Sequence, residues 1–314
     1  MIPPHIEPLE LLLDALAIDC ACFILGAGAS VPHVPTLAQI PGTIATFAQA
    51  LSSIPASPIA DSPLRRLIAP LIDGLTNVPT SLNEWKVRGM TSSTIAVLIE
   101  QLIAHAHWQR LPQYEVFHLF PLNAKIVSFN WDGLAKARCP QSEVIHPHGA
   151  LGPRSLLTDS LEMRLFYSQL DDSLESRDWL LPELVMPEEE NGPKLHSIRE
   201  HVFALWLNAP VVIIIGYSFG RGQSVDYDRV WFDTFVEAMK RNTRAPIHII
   251  APDTSRLRIE LSEALKRTIN IHGWPLSWHA LARAILKVAR QHGICDAKRF
   301  RRFLDEIRQN YFDV

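Results

Sequence analysis

Cysteine is scarce in this chain, and none of it forms a common metal-binding motif. The four cysteines are Cys20, Cys22, Cys139 and Cys295, and no two of them make a C-x-x-C pair. This spacing excludes the usual structural zinc sites. We therefore expect no metal, and we expect reduced thiols of the kind found in cytosolic proteins.

A strong charge of one sign and long apolar runs are also missing. The formal net charge of the 314 residues is −3, so no overall basic field would attract nucleic acid. The N-terminus has acidic residues within its apolar stretch and no basic segment, which is unlike a signal peptide. The run Val211–Ile215 is far too short to cross a bilayer. These absences predict a cytoplasmic protein that binds neither nucleic acid directly nor a membrane.

Short apolar runs that end in glycine or a small polar residue recur along the chain. They predict strands at 20–25, 124–129, 143–146, 211–215 and 246–250, and helical spacing predicts helices at 7–18, 94–108, 195–208 and 228–241. We predict an α/β fold: a Rossmann-like parallel sheet flanked by helices, with a helical insertion at about 31–120 and a helical C-terminal segment. The main domain would be residues 1–254, and residues 255–314 would form a helical extension packed on or beside it.

The first predicted strand ends in the turn Gly26-Ala27-Gly28-Ala29-Ser30. Glycines after a strand let the backbone approach a pyrophosphate, and the helix that follows offers free N–H groups. Val31 stands where the G-x-G-x-x-G pattern has its third glycine, and Ala50 stands near the position of the usual acidic residue. The turn is therefore not an ordinary dehydrogenase motif, and a tight structural turn explains it equally well.

Polar residues follow two further strands. Asn130 can donate to and accept from a ribose hydroxyl or a water, and Asp132 would point to the same side. Both residues could instead cap local backbone. His148 could act as a base at neutral pH, but His146 would face the same way and spacing does not choose between them.

The strongest predicted strand ends in Gly216-Tyr217-Ser218-Phe219-Gly220, which fits the letters of the G-x-S-x-G nucleophile elbow. A serine hydrolase would then use Ser218 with Asp253 and with His272 or His279. This hypothesis stays open on the residues alone.

Taken in order, these motifs resemble the sirtuin-like family, and in particular its divergent bacterial branch found in anti-phage defence. The family carries G-A-G-x-S, T-x-N-x-D, His-Gly and G-x-S stretches. Here they read Gly26–Ser30, Ser128–Asp132, His148-Gly149 and Gly216–Ser218, and the resemblance spans roughly residues 20–253. In the defence branch Gly-Tyr-Ser belongs to the nucleotide site. The main domain is accordingly expected to bind NAD.

The resemblance implies an NAD⁺ hydrolase that releases nicotinamide and ADP-ribose. The deacetylases of the family carry four zinc cysteines and a Pro-Asp-Phe-Arg stretch, and both are missing here, so protein deacylation is not expected. NAD⁺ would be the substrate, with no metal. The resemblance assigns catalysis to Asn130, His148 and Asp132. It assigns nucleotide binding to Gly26, Ala27, Gly28, Ser30, Gly216, Ser218 and Asp253.

The resemblance also implies partners and a biological role. We expect an NAD-depleting effector of anti-phage defence that forms a homo-oligomer and works beside a ring-shaped ATPase or an Argonaute-like protein. The alternative from another class is a non-catalytic sensor of NAD or ADP-ribose that regulates a partner. The sequence leaves open NAD or NADP, and hydrolysis or cyclisation.

Overall fold

The computed structural model of this protein describes residues 6–34, 111–148, 193–219, 228–266 and 270–312. The predicted helix at 94–108 and most of the predicted insertion at 31–120 lie outside these ranges, as does Gly149.

Six parallel strands form a single sheet in the described part of the chain. They are β1 (Cys22–Leu25), β2 (Lys125–Ser128), β3 (Glu143–Ile145), β4 (Val212–Ile215), β5 (Ile247–Ala251) and β6 (Ile271–Pro275). Their spatial order is β3-β2-β1-β4-β5-β6, and every neighbouring pair is parallel. This is the order of a Rossmann-like fold, so the predicted fold class is confirmed. The strand order reverses between β1 and β4, where such sheets bind ligands.

Eight α-helices accompany the sheet in the same ranges. They are α1 (Ile6–Leu16), α2 (Pro112–Glu115), α3 (Leu134–Arg138), α4 (Pro193–Asn208), α5 (Arg229–Arg241), α6 (Ser255–Leu265), α7 (Trp278–Gln291) and α8 (Ala297–Phe312). Short 3₁₀ turns occur at Ala27–Ala29 and Val116–Leu119. None of the helices described here is long and apolar enough to cross a membrane.

Both faces of the sheet are buried, because side chains alternate along each strand. Phe23 and Leu25 of β1 pack into one core, with residues of α1, α7 and α8. Cys22 and Ile24 pack into the other, with residues of α4, α5 and α6. We call these the α1 face and the α5 face. The result is a three-layer arrangement in which the central strands β1 and β4 are continuous apolar runs.

The C-terminal segment differs in one respect from the sequence-based prediction. The expected helices are there as α6, α7 and α8, but β6 lies between α6 and α7 and was not predicted. Its register pairs Ile271 with Ile247 of β5. Only Ile271 and Trp274 of this strand are buried, and His272 and Gly273 interrupt the apolar pattern. An edge strand with so short a pattern gives little periodic signal.

Candidate functional site

The turn after β1 and the turn after β4 touch each other through glycines at the switch point. The N–H of Gly28 donates to the carbonyl of Gly216 at 3.1 Å. A Cβ on Gly26 would lie 2.5 Å from that carbonyl oxygen, and a Cβ on Gly216 would lie 2.5 Å from the Cα of Gly28. Gly216 also has a φ of 57°, in the left-handed region that favours glycine. These three glycines are required by the close approach of two backbones, whatever else they do.

Most N–H groups of the first turn are used internally. Gly26, Gly28, Ala29 and Ser30 all donate to backbone carbonyls. The N–H of Ala27 has no acceptor among the described residues, and the same holds for the N–H of Ser218 after β4. These two amides, one from each turn, leave donors at the switch point that can bind the oxygens of an anion.

A buried polar network lies beside this turn, on the α1 face. Its members are Ser30, Tyr114, Asn130 and Asp132, all at most 5% exposed. Ser30 Oγ donates to Asp132 Oδ2 at 2.8 Å and accepts from Asn130 Nδ2 at 3.0 Å. The hydroxyl of Tyr114 lies 2.7 Å from Ser30 Oγ. Because a serine hydroxyl has one hydrogen and two lone pairs, these three partners saturate Ser30.

The saturation of Ser30 changes the role expected for it. We predicted that Ser30 would bind phosphate, but its hydroxyl is fully buried and has no capacity for a further partner. The geometry instead makes Ser30 a link that holds Asn130 and Asp132 in fixed relation.

Asp132 is an ionisable group in an apolar setting. Burial raises the pKa of its carboxyl from 3.8 to about 6, against hydrogen bonds from Ser30, the Leu134 backbone and Tyr114 that lower it. The Leu134 N–H donates to Oδ1 at 3.2 Å. Burial, followed by the charge of Asp132, raises the pKa of Tyr114, so this hydroxyl keeps its proton. The network therefore holds a single negative charge at neutral pH.

The nitrogen and the oxygen of the Asn130 side-chain amide differ in their hydrogen bonding. Its Nδ2 is held by Ser30, but its Oδ1 is buried and has no hydrogen-bond partner in the described ranges. A buried amide oxygen without a donor is costly, and native proteins rarely leave one. An acceptor of this kind suits a ribose hydroxyl or a water.

His146 supports the backbone of Asn130. Its Nδ1 lies 3.3 Å from the Asn130 carbonyl, and burial lowers the pKa of the imidazole to about 4. The ring is therefore neutral at physiological pH, and its Nδ1–H donates to that carbonyl. This contact separates the two histidines that spacing alone left equivalent.

His148 belongs to a second buried cluster, on the α5 face. Its Nε2 lies 3.3 Å from Asp228 Oδ1 at the start of α5, and Tyr217 donates its hydroxyl to Asp228 Oδ2 at 2.8 Å. Phe129 stacks on Tyr217 at 4.3 Å and meets the His148 ring edge-on at 5.2 Å. Trp231 meets the same ring at 6.3 Å. The histidine thus sits between an acidic side chain and an aromatic wall.

The two clusters meet at the carboxyl edge of the sheet. Phe129 and Asn130 are consecutive residues after β2, and they point to the α5 face and the α1 face respectively. The structure therefore brings Gly26, Ala27, Gly28, Ser30, Asn130, Asp132, His148 and Gly216 to one end of the sheet, with Ser218 exposed beside them.

Asp253 is placed differently. It follows β5, is exposed, and accepts the N–H of Ser255 at 3.0 Å. That contact satisfies a free amide at the start of α6, which is an ordinary task for an aspartate. No contact among the described residues joins Asp253 to either cluster.

The serine hydrolase hypothesis finds no support in this geometry. In a nucleophile elbow the serine itself sits on the strained turn. Here the positive φ values fall at Gly216 and Phe219, on either side of Ser218. His279 Nδ1 lies 3.2 Å from the side-chain oxygen of Gln113, and the ring of His272 stacks on His248. Within the described part of the chain no histidine bonds to Ser218.

Sequence reasoning missed Tyr114 and Asp228. Tyr114 precedes β2 in an ordinary amphipathic stretch, and Asp228 lies where many helices carry an aspartate cap. Neither position belongs to a recognisable motif, so only the fold places them in the site. A metal site was not expected, and the described residues contain no group of three or more histidine, cysteine or acidic side chains that could hold one.

The protein resembles known proteins in structure but not in sequence. No protein-family model matches the chain, and no curated protein matches it. Among solved structures it is similar to Sir2 homologues. A Sir2 homologue–NAD complex is 14% identical with a TM-score of 0.49, over 90% of this chain and 94% of that chain. A variant complexed with ADP-ribose is also 14% identical, with a TM-score of 0.44, over 90% and 97%. These TM-scores are too low for the likeness to carry an argument about function.

Proposed function

We propose that this protein is an NAD⁺ hydrolase that cleaves the bond between nicotinamide and ribose, giving nicotinamide and ADP-ribose. The observation that carries the proposal is the buried Ser30–Asp132–Asn130–Tyr114 network beside the switch point, with the Asn130 amide oxygen unpartnered in the described ranges. The sirtuin-like order of motifs along the sequence supports the same reaction.

The reaction needs little acid catalysis from the protein. Nicotinamide is a pyridinium cation in NAD⁺, so it leaves as a neutral molecule. The transition state resembles an oxocarbenium ion, with positive charge on the anomeric carbon. The site must orient the ribose, favour that charge and activate a water.

Asn130 is the residue we expect to contact the ribose or the attacking water. Ser30 fixes its Nδ2, so Oδ1 is presented as an acceptor. Such pre-organisation keeps the acceptor in place during the reaction, without a cost for reorienting it. Ser30 and Tyr114 act through Asn130 and Asp132, and are positioning residues.

Asp132 supplies the negative charge of the network. With a pKa of about 6 it is ionised at neutral pH, although burial opposes the charge. A carboxylate held in a low-dielectric setting acts more strongly on a developing cation than one in water. We propose that it favours the positive charge at the anomeric carbon.

His148 is the proposed base, acting on the attacking water or a ribose hydroxyl. His146 does not fill this role, because its Nδ1 is engaged with the Asn130 backbone and its pKa of about 4 makes it a weak base. The phosphates would lie at the switch point, near the amides of Ala27 and Ser218 and the exposed Ser218 hydroxyl.

We extend the proposal to the biological role on the strength of the sequence resemblance. The protein would be a cytoplasmic, NAD-depleting effector of anti-phage defence that acts as a homo-oligomer, beside an activating partner such as a ring-shaped ATPase or an Argonaute-like protein. The non-catalytic sensor of NAD or ADP-ribose is the alternative that the first experiment must separate.

The test is nicotinamide release from NAD⁺ by the purified protein, measured beside Asn130→Ala and His148→Ala. Matched controls are Asn208→Ala and His196→Ala, because both side chains are exposed on α4. We expect release by the wild type and both controls, and a loss of at least about 100-fold in each site variant. If the wild type binds NAD⁺ in calorimetry without releasing nicotinamide, the protein alone is not a hydrolase, and it is either the sensor or an enzyme that requires its activating partner.

A further inference from the structure

Asp228 has an environment that its place in the sequence does not explain. Both of its carboxylate oxygens face other side chains: Oδ1 lies 3.3 Å from His148 Nε2, and Oδ2 accepts the Tyr217 hydroxyl at 2.8 Å. His148 and Asp228 are 7% and 8% exposed. A buried carboxylate is expensive unless it is paired, so this arrangement stabilises the charge through two specific partners.

The helix position of Asp228 makes this choice of partners informative. Asp228 is the N-cap of α5, where an aspartate normally accepts an N–H from the first turn. No such bond forms to the side chain of Asp228. The carboxylate turns to His148 and Tyr217 instead.

We infer that Asp228 is a positioning residue that orients His148 and sets which of its ring nitrogens acts as the base. Asp228 accepts the hydrogen on Nε2, and Nδ1 is then the nitrogen that takes a proton during hydrolysis. The Nε2–Oδ1 pair is not well aligned for a hydrogen bond, and catalytic bonds of this kind commonly tighten when substrate binds. The inference rests on the proposed function for its kinetic consequence, but not for the orientation itself.

Tyr217 connects this pair to the nucleotide turn. It follows Gly216, whose backbone contacts the turn after β1, and its ring is stacked on Phe129. The Tyr217 hydroxyl holds the second oxygen of Asp228. The position of the base is thus tied to the two turns that would hold the phosphates.

Asp228, at the start of α5, faces the His148 ring directly, and Tyr217 reaches that ring through Asp228. Phe129 and Trp231 supply the ring contacts from the other elements. Replacing Asp228 therefore removes the carboxylate contact at Nε2 and leaves these aromatic contacts in place.

The kinetic test uses Asp228→Asn, with Asp233→Asn as the matched control because Asp233 lies on the same helix with a side chain that is 68% exposed. We expect kcat to fall by at least about 10-fold, but by no more than the loss in His148→Ala, since an orienting residue acts only through the base. In a His148→Ala background the same substitution should cost little, because the two residues act as one unit. Additive losses would overturn the inference.

A second readout does not depend on turnover. Nitrogen-15 NMR of the histidine rings reports which nitrogen of His148 carries the hydrogen. We expect hydrogen on Nε2 in the wild type, and a smaller share of that tautomer in Asp228→Asn. Hydrogen on Nδ1 in the wild type, or an unchanged share in Asp228→Asn, would overturn the inference even if NAD⁺ is hydrolysed. Should Asp228→Asn fail to fold, Tyr217→Phe keeps the stacked ring and removes one bond to Asp228; it should lower the share of the Nε2 tautomer as well, by less.

Discussion

Replacing Asp132 by asparagine should stabilise the fold at neutral pH, although Asp132 lies in the middle of the site. The folded protein holds this carboxyl with its pKa raised from 3.8 to about 6, chiefly because burial disfavours the charge. The folded state therefore binds the proton more tightly than the unfolded chain. Stability linked to this group is greatest below pH 3.8 and is lost as the pH rises through about 6. In the Asp132→Asn variant the side chain at position 132 is uncharged, so the fold does not lose this stability as the pH rises.

The size of the effect follows from the same values. A rise in pKa from 3.8 to about 6 corresponds to about 3 kcal/mol of unfolding free energy at pH 7. The amide can keep the local bonds: its oxygen accepts the Leu134 N–H, its NH₂ donates to Ser30, and the hydroxyls of Ser30 and Tyr114 reorient. For a chain of 314 residues, 3 kcal/mol raises the midpoint of thermal unfolding by roughly 4 to 5 °C.

The assay is thermal unfolding of the wild type and Asp132→Asn from pH 4 to pH 8. The difference between them should be near zero at the acid end and grow to its full size above pH 6. The exposed Asp233→Asn serves as control and should show a small difference that does not vary with pH in this way. The variant should also release nicotinamide more slowly, because it lacks the Asp132 carboxylate, which destabilises the fold at neutral pH but is proposed to favour the positive charge at the anomeric carbon. A pH-independent difference, or destabilisation at neutral pH, would refute the account of Asp132.

Three further predictions concern the switch point. Gly216→Ala should lower the midpoint of thermal unfolding more than Gly293→Ala. Both positions have a positive φ, which costs about 1 to 3 kcal/mol of strain in each variant, but a Cβ at Gly216 meets the Gly28 backbone at 2.5 Å whereas one at Gly293 meets nothing within 4 Å. Equal losses would show that the close approach is unimportant. Ser218→Ala should raise KM for NAD⁺ by roughly 10-fold with kcat nearly unchanged, as expected for one lost hydrogen bond to a charged group. A fluorophosphonate probe should leave Ser218 unlabelled in the wild type, and labelling would revive the serine hydrolase.

The strands that carry the site could be predicted because each contains a short apolar stretch with a clear end. β1 and β4 are buried on both faces, so their sequences contain no polar residue that would obscure the pattern. Parallel strands align their carboxyl ends, and this alone brings Gly26, Asn130 and Gly216 to one edge. β6 was missed because His272 and Gly273 interrupt it.

The pairing of side chains within the site could not be predicted. Periodicity placed His146 and His148 on the same side, and only the fold shows one holding the Asn130 backbone while the other meets Asp228. The saturation of Ser30 by three partners depends on Tyr114, which is 84 residues away along the chain. Contacts of such separation follow from packing and leave no local pattern.

The central claim is that this site cleaves the nicotinamide–ribose bond of NAD⁺ and transfers the ribose to water. The most direct measurement is mass spectrometry of the products formed in ¹⁸O-labelled water by the wild type and by Asn130→Ala. We expect free nicotinamide and ADP-ribose with one heavy oxygen on the ribose, from the wild type alone. Products of pyrophosphate cleavage, or equal turnover by the Asn130→Ala variant, would contradict it.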